Sequence, residues 1–234
     1  MSSINTRKSD IVWNYIGTIV SMASGFVLLP LLMHFLSSSE LGLWYVYVAL
    51  SNFAMLFEFG FNPTFARNIV YVISGARHLS IEGCDIKSVQ EGIDWHLLNT
   101  VIKASKVIYA ILAVVVLALL STIGSLYISF VASGMGSFDI WVSWGLFCAS
   151  VFLNLYFLWS ITVLRGYGDI AGENKAVVIG RAAQLSVSAI LLLLGYGLVG
   201  AAIGYLANAI LLRLSAVVML RKHKAVSYTH LTLP

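Results

Sequence analysis

The chain has 234 residues, 59% hydrophobic and 10% charged, with fourteen Lys and Arg against ten Asp and Glu. A soluble domain carries about 25% charged residues, so a chain of mean hydropathy +0.91 lacks the polar skin that a water-soluble core needs. An apolar excess also excludes disorder, which leaves lipid as the solvent and an integral membrane protein as the class.

Crossing about 30 Å of hydrocarbon takes roughly 20 helical residues. Six apolar runs meet that length, near residues 11–36, 41–66, 101–131, 138–163, 176–194 and 198–220. Arg7 and Lys8 precede the first run in the manner of a secretory signal, but the run is too long for a signal core and is expected to be a retained span.

All fourteen bases fall on one side of this layout. Arg7 and Lys8 precede span one; Arg67, Arg77, Lys87, Lys103 and Lys106 surround the second loop; Arg165, Lys175 and Arg181 surround the fourth; Arg213, Arg221, Lys222 and Lys224 close span six. Loops 37–40, 132–137 and 195–197 contain none. Because Lys and Arg bias sets orientation, both ends are expected in the cytoplasm, with an even number of spans. The net charge of +4 is thus a matter of topology, and no nucleic-acid partner is expected.

In the second loop Val89, Ile93 and Leu97 recur at four-residue spacing beside Trp95. The pattern fits either a short helix lying at the membrane surface or a polar extension of span three. Gly17, Ser21 and Gly25 in span one, and Gly200 and Gly204 in span six, follow the small-residue spacing that lets helices approach closely. Cys84, Cys148 and five scattered histidines make no disulfide or metal-ligand pattern, and neither metal nor cofactor is expected.

Enzyme signatures are lacking: there is no HExxH, GxSxG or Walker loop. Gly166-Tyr167-Gly168-Asp169 matches the short GxGD string of intramembrane aspartyl proteases, whose chemistry needs a second carboxylate close by. Asp139, the nearest earlier aspartate, falls at the opposite membrane surface, so the string is expected to be a turn between spans four and five and the protein not an enzyme.

Charges within spans are more informative, each costing about 2.5 to 3.5 kcal/mol at mid-helix. Glu58 in span two, Arg181 in span five and Arg213 in span six all lie about 8 to 12 Å inside the cytoplasmic end at 1.5 Å per residue. Either the arginines snorkel and Glu58 pairs with one of them, or the surplus positive charge faces a cavity, where guanidinium forks suit phosphate oxygens. Arg67 would stand at the rim of such a site, making Arg67, Arg181 and Arg213 the candidate substrate-binding residues and Glu58 the candidate ion-pair or proton-coupling group. Pro30 and Pro63 are candidate hinges, since proline removes a backbone donor and biases the preceding residue away from helix.

Trp13-Asn14-Tyr15, Pro30, Glu40-Leu41-Gly42-Leu43-Trp44, Phe57-Glu58-Phe59-Gly60 followed by Arg67, and Leu164-Arg165-Gly166-Tyr167-Gly168 resemble the Wzx-type polysaccharide flippases of the multidrug/oligosaccharidyl-lipid/polysaccharide exporter superfamily. The resemblance covers residues 7–225 and is most specific in the first two spans. It implies a MATE-like fold of two six-helix bundles, of which this chain would be the N-terminal lobe, a fragment lacking the C-terminal six-helix lobe. It also implies flipping of an undecaprenyl-pyrophosphate-linked oligosaccharide across the bacterial cytoplasmic membrane for O-antigen, capsule or exopolysaccharide synthesis. Trp44, Tyr45 and Tyr47 are then candidates for stacking on sugars, although an aromatic girdle at the interface explains them equally. Two rivals remain: a drug/cation antiporter half of the same fold, which would want unpaired acids, and a non-transporting membrane scaffold, whose buried charges would be paired. Residues 226–234, VSYTHLTLP, resemble a translated sequencing adapter and are set apart from the 1–225 bundle as a non-native tail.

Overall fold

The computed structural model describes residues 8–80, 83–84, 92–133 and 138–231, with backbone alone for 83–84 and 222–231. It is a bundle of α1 (Lys8–Phe35), α2 (Ser38–Met55), α3 (Phe61–Ile73), α4 (Trp95–Leu119), α5 (Ser125–Val131), α6 (Phe138–Tyr156), α7 (Leu158–Gly166), α8 (Ile170–Leu193) and α9 (Gly197–Leu231). A two-stranded hairpin, β1 (Leu79–Ser80) with β2 (Gly83–Cys84), lies in the connection before α4. Five helical segments are long and apolar enough to cross a membrane, and six when the bent pair α2 and α3 counts as one. The chain is an all-α, multi-pass membrane protein.

Span two is two half-helices bent by 45°. A 3-10 turn over Leu56–Glu58 runs into Phe59 (φ 48°) and Gly60 (φ 76°), both left-handed. Gly60 takes that conformation without steric penalty, whereas Phe59 holds it at a cost of about 1 to 2 kcal/mol. Pro63 is the third residue of α3, where the backbone N–H has no acceptor within the helix. The break expected here is present, but the left-handed pair makes it and Pro63 only follows. Helix α1 runs unbroken through Pro30.

Helix α2 starts on a reciprocal cap, in which Ser37 Oγ accepts from Glu40 N and Glu40 Oε2 accepts from Ser37 N. Trp95 and Leu97 form the first turn of α4, with the Asp94 side chain capping it from Leu97 N at 2.9 Å. Over these residues the second loop is therefore the extension of span three and not a separate surface helix; Val89 lies outside the described residues. Between α4 and α5 the helix passes through a π-turn, Leu120–Gly124.

Helix α9 packs along α8 and also on α6 and α7, α1 lies on α8, and α3 packs on α7 and α4. The α8–α9 crossing is close because it is made by glycines: a Cβ on Gly200 would meet Leu191 Cβ at 2.9 Å, and one on Gly204 would overlap Ser188 Oγ. Gly17 does the same for α1, facing Asn174, whereas Gly25 has nothing within 4 Å. The small-residue spacing thus marks contacts at three of these four glycines.

Two apolar cores result. One gathers Leu43, Trp44, Tyr47, Val116, Trp144, Phe147 and Leu198. The other gathers Phe65, Ile69, Leu98, Ile161, Leu164 and Ala216. Along α4 the first core's share begins at Ala113 and the second's ends at Tyr109. On α6 and α7 the changeover falls between Leu155 and Leu158, at the one-residue interruption of the helix, Phe157.

Candidate functional site

Polar side chains collect where the two cores meet, at the level of both helix breaks. Glu58 ends the 3-10 turn of span two and Asn62 is the second residue of α3; Glu58 Oε1 accepts from Asn62 N at 2.6 Å. The positive end of the half-helix thereby holds the carboxylate. Tyr109 on α4 donates from its hydroxyl to Glu58 Oε1 at 3.4 Å and stands 3.5 Å from Thr162 Oγ1 on α7. Thr162 in turn donates to Asn62 Oδ1 at 3.2 Å. The cluster ties the three elements that flank the break.

Arg213 on α9 reaches into the same level and is only 7% exposed. Its Nη2 donates to Asn154 Oδ1 on α6 at 3.2 Å, while Nε and Nη1 are buried with no hydrogen-bond partner. Arg213 is one wall of a pocket of about 150 Å³ between α6 and α9, lined also by Phe157 and Leu214 and almost wholly apolar, so the side chain meets it through its aliphatic stem while the guanidinium lies buried behind. Tyr109 is its electrostatic neighbour. A buried guanidinium with two idle donors and no carboxylate against it is the least satisfied polar group among the described residues, where such donors are nearly always paired.

The expected pairing of Glu58 with an arginine is not made. No hydrogen bond or ion pair joins Glu58, Arg67, Arg181 and Arg213 among the described residues, because Glu58 is committed to the start of α3. Arg181 instead donates to Gln184 Oε1 at 3.0 Å, an oxygen that also accepts from Asn208 on α9 at 2.9 Å. It belongs to the polar glue of the α8–α9 crossing. Asn208 and Arg213 stand five residues apart, roughly 140° around the helix, so Arg181 and Arg213 address different sides of α9. Arg67 is exposed on α3. Of the three arginines, Arg213 alone combines burial with idle donors.

The sequence reading missed Tyr109, Asn154 and Thr162. Asn154 was the visible signal, a lone amide inside the apolar run Val151–Leu155 of α6, where an unpaired polar group is costly. Trp44 and Tyr47 are not free to stack on sugars. Both are buried, and Tyr47 donates to Ile140 O at 3.0 Å beside Ser143 Oγ at 3.1 Å. In the GxGD string, Gly168 takes φ 75° and Asp169 caps α8 by accepting from Gly172 N at 2.8 Å, the expected turn. Across the same turn Arg165 forms an ion pair with Glu173.

These features define the class, a multi-pass helical bundle with a buried cation at a level where two spans break. A scan of protein-family models and searches of curated proteins and solved structures each returned no match.

Proposed function

We propose that this chain is one six-span lobe of a carrier that moves an anionic, lipid-linked oligosaccharide across the bacterial cytoplasmic membrane. One observation carries the reading: Arg213 is buried, its Nε and Nη1 have no partner, and it lines a pocket at the level of the broken spans. A structural arginine would be matched by an acid or by a full set of carbonyls, since an uncompensated buried charge is strongly destabilising. A phosphate oxygen pair would complete its fork.

Substrate sites of carriers commonly sit at discontinuous helices, which fits the polar layer beside Phe59–Gly60 and Phe157. The bases at the start of α1, between α3 and α4, between α7 and α8 and at the end of α9 fit a cytoplasmic placement of both ends. A drug/cation antiporter is disfavoured because Glu58, the acid in the polar layer, is occupied by a backbone N–H. A scaffold is disfavoured by the idle donors of Arg213. Arg181 and Arg67 drop from the substrate site; Arg181 serves the α8–α9 crossing.

Complementation tests this. In a bacterium lacking its own repeat-unit flippase, the intact gene carrying Arg213→Met is expected to give no surface glycan at normal protein level, with Arg181→Met retaining partial display. Normal glycan from Arg213→Met refutes the site.

A further inference from the structure

Between α2 and the α4–α5 segment runs a crevice of about 640 Å³, walled by Val46, Phe53 and Phe57 on one side and Val116, Ile123 and Tyr127 on the other. We propose that it is a built site for one acyl chain of a membrane phospholipid, a role independent of the transport reading.

The two ends of the crevice are fixed differently. Beside Val46, Tyr47 is fully buried and pins α2 to α6 through Ile140 O and Ser143, so that end of α2 cannot settle onto the α4–α5 segment without breaking this anchor. Beside Phe57, Glu58 accepts from Asn62 N and from Tyr109 Oη on α4, which ties the far end shut. The crevice is open along its rims and its walls are almost wholly apolar, a lining that suits hydrocarbon and not water. Hydrocarbon has direct access, since Phe53 and Ile123 on the rims are 62% and 65% exposed on segments apolar enough, the first as part of the bent pair, to cross a membrane.

Length selects the kind of chain. Val46 to Phe57 and Val116 to Tyr127 each span eleven steps, about 16 Å at 1.5 Å per residue. That is the depth of one leaflet, about half of the 30 Å hydrocarbon core, so an acyl chain ends where the crevice ends and a long polyisoprenoid overruns it. Polarity orients it. Tyr127 is the one hydrogen-bonding side chain on the walls, and it stands at the end shared with exposed Tyr45 and Trp141, aromatics of the type that gather at headgroup level. The ester end lies at Tyr127 and the methyl end at Phe57.

The test uses the full chain in nanodiscs with two photoreactive phosphatidylethanolamines, one carrying a diazirine near the chain terminus and one near the ester. The terminal probe is expected to label Phe57 and Val116, and the ester-side probe Val46 and Tyr127, each at least fivefold above Phe26 on the exposed face of α1. Ala49→Trp, which fills the crevice, is expected to cut that labelling at least fivefold and leave Phe26 unchanged. Crevice labelling no higher than at Phe26 means ordinary surrounding lipid and overturns the proposal, as does equal labelling by both probes at one depth. Displacement of the probe by polyprenyl phosphate but not by unlabelled phosphatidylethanolamine overturns it in favour of an isoprenoid site. The depth map in the unaltered protein stands even where Ala49→Trp fails to fold.

Discussion

A single guanidinium separates a structural from a functional interior in this bundle. If Arg213 served packing alone, its removal would weaken the fold. As a buried charge without a counter-ion it is instead a burden on the fold, so Arg213→Met is expected to leave the melting temperature in detergent unchanged or raised. Asn154→Leu, which strips the guanidinium of its Nη2 acceptor, is expected to lower stability by about 1 to 3 kcal/mol, read in the same melts. At the membrane edge, Asp94 accepts from Leu97 N and pairs with Arg77 at 3.6 Å. The Leu97 N–H first, with the Arg77 charge adding, holds its carboxyl below the ordinary value of 3.8. A folded-state value below the unfolded one gives stability that is complete above the unfolded value and lost as pH falls through the folded one. The melting-temperature difference between wild type and Asp94→Asn is therefore expected to be constant at neutral pH and to shrink below about pH 4.

Helix existence was legible in the sequence because apolar run length is the strongest signal a membrane chain carries. All six expected runs are helical over most of their length, but their inner breaks were only half visible. Phe59–Gly60 was marked by neighbouring Gly60 and Pro63, yet the proline drew attention to the wrong backbone group; what turns the chain is a left-handed pair. Phe157 has no glycine or proline beside it, and nothing local announces its interruption. Gly60→Ala is accordingly expected to cost about 1 to 2 kcal/mol, while Pro63→Ala, in the first turn of α3, stays near neutral. Glycine contacts divide in the same way. Gly204→Val forces α8 and α9 apart, with an expected loss of about 1 to 3 kcal/mol, while Gly25→Val is expected to melt like wild type, having open space to fill.

For the whole molecule, two apolar cores separated by a polar layer explain why the candidate site was harder to read than the fold. Depth along a helix follows from counting residues, and it put Glu58, Arg181 and Arg213 at similar heights. The direction each faces depends on how helices rotate against one another, which no single span reveals. Arg181 turns to Gln184 at the α8–α9 seam and Arg213 to Asn154 across α6, so equal depth did not mean a shared site. The unsatisfied donors of Arg213 became apparent only once Asn154, Tyr109 and the pocket walls had assembled around it.

Binding of a short polyprenyl pyrophosphate to the nanodisc-embedded protein measures the role of that cation most directly. Arg213→Met is expected to weaken binding at least tenfold, about 1.4 kcal/mol, with Arg181→Met within a factor of about three of wild type. Equal affinity of wild type and Arg213→Met would contradict an anion-anchoring role for the buried guanidinium.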